Sequence, residues 1–224
     1  MLEPQDPVPA SPFSSSTERG STTPELVELD SHGDITLNVI NGTDRRSFLV
    51  SSHVMRLASP VWKAMLTGGF AESRKAVISL EEDDPDALLI VLLAAHLQHR
   101  QLPKELTFDQ IVKLAVICDK YDTATVVRPF LHQWISPYQS NCLEAGHEQW
   151  LSVAWAFGYT ENFKDIADCL VRSSMIDSEG RCLNIEGKIL EDILPADILG
   201  TLARNLFILR KMLTRYREHH EGSN

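Results

Sequence analysis

The hydrophobic residues change period part-way along this chain, and that change limits what it can fold into. Between Val27 and Val50 apolar residues alternate with polar ones: Val27 and Leu29, then Ile35, Leu37 and Val39, then Phe48 and Val50. A period of two sends successive side chains to opposite faces of an extended chain, so each run predicts a half-buried strand. Asp30-Ser31-His32-Gly33 reads as the turn of a hairpin between the first two runs, and Asn41-Gly42-Thr43-Asp44 as a second turn. From Val54 the spacing becomes three and four, through Leu57, Val61, Met65 and Leu66. With Ser59-Pro60 as N-cap and first helical residue, this predicts two short helices meeting in a tight corner and stopped by Thr67-Gly68-Gly69.

Downstream, Ile78 and Leu80 predict a brief strand, and Asp84-Pro85 opens a buried helix with Leu88, Leu89, Leu92 and Leu93 on its face. Thr107 and Gln110 have capping-box spacing ahead of the stripe Ile111, Leu114, Ala115 and Cys118. A shorter helix follows through Val126, Val127, Phe130 and Leu131. Beyond Pro137 the period stays helical, with Trp150, Val153, Ala154 and Phe157 closed by Gly158, then Phe163, Ile166, Ala167 and Leu170. Ser178-Glu179-Gly180 and Ile185-Glu186-Gly187 read as turns. From Ile198 to Tyr216 apolar residues recur at alternating threes and fours, a helix that packs on its own domain or associates with a second copy. The expectation is an α+β domain over residues 24–135 followed by an all-helical C-terminal extension over 136–224. Residues 1–23 are Pro, Ser and Thr with hardly an aliphatic side chain, which predicts a disordered tail.

Composition narrows the function. At 43% apolar residues the chain can bury a core without disulfides or metals, and its net charge of −10 opposes direct binding to nucleic acid. Cys118, Cys142, Cys169 and Cys182 are scattered, without the close pairs of a zinc knuckle or a redox dithiol. The longest apolar run, Ala87 to Ala95, is far short of the ~20 residues that cross a bilayer. With no secretory signal read at the N-terminus, an intracellular protein of the cytoplasm or nucleus is expected. No phosphate loop, zinc-protease or nucleophile-elbow pattern is present, so no enzyme, cofactor or metal is expected. Cys142 and His147 can be drawn as nucleophile and base, and His96 with His99 as a metal pair, but a structural thiol and a solvated helix end explain them as well. The acidic run Glu81 to Asp86 lies at a helix N-terminus, where the dipole accounts for it.

The residues also resemble a known family. Asp34-Ile35-Thr36-Leu37 resembles the opening strand of BTB/POZ domains, Phe48-Leu49-Val50-Ser51-Ser52-His53 their strand-to-helix junction, and Ser59-Pro60-Val61-Trp62-Lys63-Ala64-Met65-Leu66 their Ser-Pro-aromatic helix. Leu80-Glu81-Glu82-Asp83-Asp84-Pro85-Asp86-Ala87 resembles their acidic helix entry, and Ala115-Val116-Ile117-Cys118-Asp119-Lys120-Tyr121 their Asp-Lys-Tyr helix. The match covers roughly Val27 to Ile135, and the second half resembles the helical extension of fungal BTB proteins. The resemblance implies a protein-interaction module. Many BTB domains dimerise through a long helix before the first strand, but here only Pro24, Glu25 and Leu26 lie between the tail of residues 1–23 and the hairpin. In that respect the chain is similar to elongin-C-type adaptors and potassium-channel tetramerisation domains.

Adaptors of the family carry a hydrophobic-x-Glu segment that docks on the cullin scaffold of a ubiquitin ligase, and Phe70-Ala71-Glu72 is similar to it. Either Phe70 is an exposed anchor oriented by Glu72, or the ring packs locally and the acid is solvated. A cullin-docking substrate adaptor is the first expectation. A homo-oligomeric scaffold or transcriptional cofactor without a ligase connection is the alternative. Deleting residues 1–23 is expected to move the melting temperature by no more than about a degree or two, because the segment has no apolar surface to dock; differential scanning calorimetry of the truncated chain checks this.

Overall fold

The computed structural model of the chain describes residues 25–67, 76–144, 147–179 and 181–190. The tail expected over residues 1–23, the Gly68-Gly69 stop, Phe70 and Glu72, and the stripe from Ile198 to Tyr216 lie outside them. The described residues form a mixed α and β structure, and the chain divides into two compact units between Trp134 and Ile135. Among them, no helix is long and apolar enough to cross a membrane.

In the first unit the alternating runs become β1 (Glu25–Glu28), β2 (Ile35–Asn41) and β3 (Asp44–Val50), joined later by β4 (Val77–Glu81). The Asn41–Asp44 turn makes β2 and β3 an antiparallel pair, as expected, and β4 lies parallel to β2 on its other side. The expected β1–β2 hairpin does not form. Both edges of β2 are taken, so β1 crosses over and pairs parallel with β3, giving the order β1-β3-β2-β4. The turn at Asp30–Gly33 survives as a corner of that crossover, with Gly33 N–H donating to Asp30 O at 2.9 Å. It presses onto β3 so closely that a Cβ at Gly33 would sit 2.7 Å from Leu49 Cγ, which only glycine avoids.

Leu37, Val39, Phe48, Val50, Ile78 and Leu80 form the buried face of the sheet. After β3 come α1 (Ser52–Ala58) and α2 (Pro60–Thr67), and after β4 come α3 (Pro85–Ala95), α4 (Phe108–Tyr121) and α5 (Ala124–Ile135). Every residue of α3 from Ala87 to Ala94 is buried, so it is apolar all round. Each leucine there contributes about 1.5–3 kcal/mol by leaving water. Thr107 and Gln110 close the expected capping box at the start of α4.

Of the expected corner stripe only Leu66 is buried, with Val54 and Met65 half-buried. Met55, Trp62 and Leu66 point inward, whereas Leu57 is 77% and Val61 39% exposed. Ser59-Pro60 breaks the helix and resets its phase, so an apolar stripe drawn across the break does not describe one face. Ser59 caps α2 by accepting from Trp62 N–H at 2.9 Å, and its hydroxyl donates across to the carbonyl of Tyr121. The Tyr121 ring lies 5.4 Å from that of Trp62, and its hydroxyl donates to Asp83, which is 2% exposed. Lys120 Nζ reaches the other oxygen of Asp83 at 2.6 Å. Burial and the adjacent carboxylate push the Tyr121 phenol well above its ordinary range, so it stays protonated and donating.

The acidic run therefore does more than cap. Asp84 does so, accepting from Asp86 N–H and Ala87 N–H, but Asp83 is the buried partner of α4, and Asp86 pairs with Arg46 at 2.6 Å. At the sheet's other end Asp34 accepts from both the Ser52 N–H and hydroxyl at 2.7 Å, and these bonds hold its carboxyl below the usual range.

The second unit has α6 (Trp150–Phe157), ended by Gly158 in the left-handed conformation at φ 75°, and α7 (Thr160–Ser173). It is not all-helical. Met175–Ile176 (β5) and Cys182–Leu183 (β6) pair antiparallel around the Ser178-Glu179 turn, with Asp177 N–H donating to Arg181 O at 3.1 Å. Strands of two residues are too short for alternation to register in the sequence.

Tyr121→Phe removes a hydrogen bond to a buried carboxylate and is expected to cost about 1.5–3 kcal/mol in urea unfolding. Lys120→Met removes a cation that is 47% exposed from a carboxylate that is 2% exposed, and is expected to cost less than the tyrosine change because solvent reaches the lysine side of the pair. A larger loss from the lysine change would contradict this ranking.

Candidate functional site

The segment carrying Phe70 and Glu72 runs from the end of α2 to the start of β4, and both flanks are anchored. Trp62 and Leu66 bury α2 in the core, and Ile78 and Leu80 bury β4. The exposed side of this corner carries Leu57, Val61 and Lys63. Phe70 and Glu72 themselves lie outside the described residues, so their two readings, exposed anchor and local packing, both stand.

In the second unit the other sequence candidates come together. Cys142 and His147 line one cavity of about 210 Å³, with Glu148 beside them and Ile166, Cys169 and Leu170 of α7 opposite. Loop spacing gave no sign of this, because α7 supplies the facing wall. Cys142 Sγ takes a long contact of 3.9 Å from Asn162 Nδ2. Glu148, 7% exposed, accepts from Asn184 Nδ2 at 2.9 Å. Asn184 Oδ1 in turn takes the N–H groups of Glu186 and Lys188, at 3.0 and 2.8 Å. This buried carboxylate ties the Ile185–Gly187 turn to the loop before α6, a link between residues 36 apart that no local pattern announces. Among the described residues, no three His, Cys, Asp or Glu side chains are placed to share a metal ion.

The histidines also separate. His96 caps the end of α3, with Nδ1 2.9 Å from Leu92 O and Nε2 accepting from Ser51 N–H at 3.1 Å, so it is not a solvated end. His99 lies in the following 3-10 turn with its ring 5.1 Å from Phe130, edge-on, and does not share a helix face with His96. His53 is exposed on α1, and Ser51 does the capping.

No protein-family model matches this sequence, and no curated protein matches it.

The four cysteines form no disulfide, and their surroundings rank their reactivity. Burial pushes the Cys118 thiol up to about 12, whereas Cys169 is exposed and Cys142 half-buried. Alkylation of the folded chain followed by mass spectrometry is expected to label Cys169 first, Cys142 next, and the buried Cys118 and Cys182 only on unfolding. A Cys142 that labels faster than an unstructured thiol would support the nucleophile reading.

Proposed function

We propose that this chain is a non-enzymatic protein-interaction module of the BTB/POZ class, acting as an adaptor that docks on a cullin scaffold through the α2–β4 connection. One observation carries the reading. The five segments that resemble the family are held by side-chain contacts in two groups: Asp34 to Ser52 joins the first two, and Ser59 and Trp62 to Tyr121 with Asp83 to Lys120 and Tyr121 joins the other three. Chance matches have no reason to converge in this way, whereas residues kept for one fold do. The convergence supports a fold-level assignment, and the docking role follows from Phe70 and Glu72 standing where the family's adaptors carry their hydrophobic-x-Glu segment.

A second reading, a homo-oligomeric scaffold, is favoured by the exposed Leu57 and Val61 on the α1–α2 corner. Light scattering separates it: the adaptor alone runs at the chain mass of 25.1 kDa and the scaffold at a multiple.

Calorimetric titration of the full chain against a cullin N-terminal domain is expected to give a Kd of about 1 µM or tighter. Phe70→Ala should weaken binding by ~2 kcal/mol with little change in melting, and Glu72→Lys should weaken it independently. If Phe70 is a core residue the order reverses, with ~3–5 kcal/mol lost from stability. A wild-type chain that shows no binding removes the cullin reading.

A further inference from the structure

His96 sits between two groups that demand opposite things of its ring. Leu92 O can only accept, so Nδ1, 2.9 Å away, must carry the proton. Ser51 N–H can only donate, so Nε2, 3.1 Å away, must be bare. One state satisfies both, the neutral ring protonated at Nδ1. Ser51 is the N-cap of α1, and His96 the C-cap of α3. The imidazole is thus the bond between the two helix ends.

We propose that His96 is a proton-operated latch: protonation of Nε2 on acidification sets two donors face to face and releases the first turn of α1 from the end of α3.

The surroundings leave the response to this ring. On α3 no charged residue lies between Asp86 and His96, and β2 carries none; the other elements packed against α3 bring Asp44, Arg45 and Arg46 at the far end of β3, Asp109, Lys113, Asp119 and Lys120 on α4, and His99 and Arg100 in the turn that follows. From the β1–β2 connection Asp30 acts on the ring and favours the cation, but burial outweighs it, and the ring titrates below its ordinary 6.5. Asp34, from the same connection, holds Ser52 and stays ionised well below that range. On α1, His53 is exposed and Arg56 acts on Asp34. The sign follows: the neutral ring's contribution is complete above about 6.5, where the unfolded chain is also neutral, and is lost as pH falls through the lower folded value. The inference does not rest on cullin docking.

Nuclear magnetic resonance of the full chain tests it. The His96 ring should titrate below 6.5. The protection factor of the Ser51 amide should fall about tenfold as pH is lowered from about 7 through the ring's own midpoint, while amides in the middle of α4 keep theirs. His96→Gln, whose amide oxygen accepts at any pH, should abolish the fall. Asp30→Asn should move the wild-type midpoint further down and supplies a second variant should His96→Gln not fold. A midpoint at or above 6.5, unchanged Ser51 protection, or an equal fall in His96→Gln would overturn the proposal.

Discussion

Tyr121 holds the first unit together by using three parts of itself at once. Its ring packs on Trp62, its carbonyl takes the Ser59 hydroxyl, and its phenol serves the buried Asp83. Those contacts tie the end of α4 to the α1–α2 corner and to the entry of α3, elements separated by some 40 to 60 positions in sequence. Asp83 makes the arrangement obligatory, because a carboxylate taken out of water must keep its donors. Lys120 reaches Asp83 from a side chain half in solvent, whereas Tyr121 meets it from the interior.

This cluster also explains why some of the fold was legible and some was not. Features set by neighbours in sequence came through: the Asn41–Asp44 turn, the Thr107–Gln110 capping box, the Asp84-Pro85 start of α3, and Gly158 at the end of α6. Features set by competition between distant segments did not. The alternation in β1 identifies a strand but cannot say that β2 has no free edge, so the hairpin expectation failed. The apolar spacing in α1 and α2 identifies helices, but a phase reset at Ser59-Pro60 turned Leu57 and Val61 outward. Asp83 and Asp84 look alike on paper, and only the position of α4 makes one a buried partner and the other a cap.

The candidate sites follow the same division. Phe70 and Glu72 were legible as a three-residue pattern between two anchored elements, and nothing local distinguishes a docking ring from a packed one. Cys142 and His147 were legible as residue types, yet their shared cavity depends on α7. His96 was misread as a solvated helix end because its two partners are a carbonyl four residues back and an amide 45 residues away. The second unit's buried Glu148–Asn184 pair had no signal at all, since each residue is unremarkable in its own neighbourhood.

Hydrogen–deuterium exchange of the full chain, alone and with a saturating cullin N-terminal domain, tests the central claim most directly because it locates contact without a variant. The account predicts slowed exchange in the α2–β4 connection and the exposed side of the α1–α2 corner, with α6 and α7 unchanged. Identical exchange with and without the cullin domain, or protection confined to α6 and α7, would contradict it.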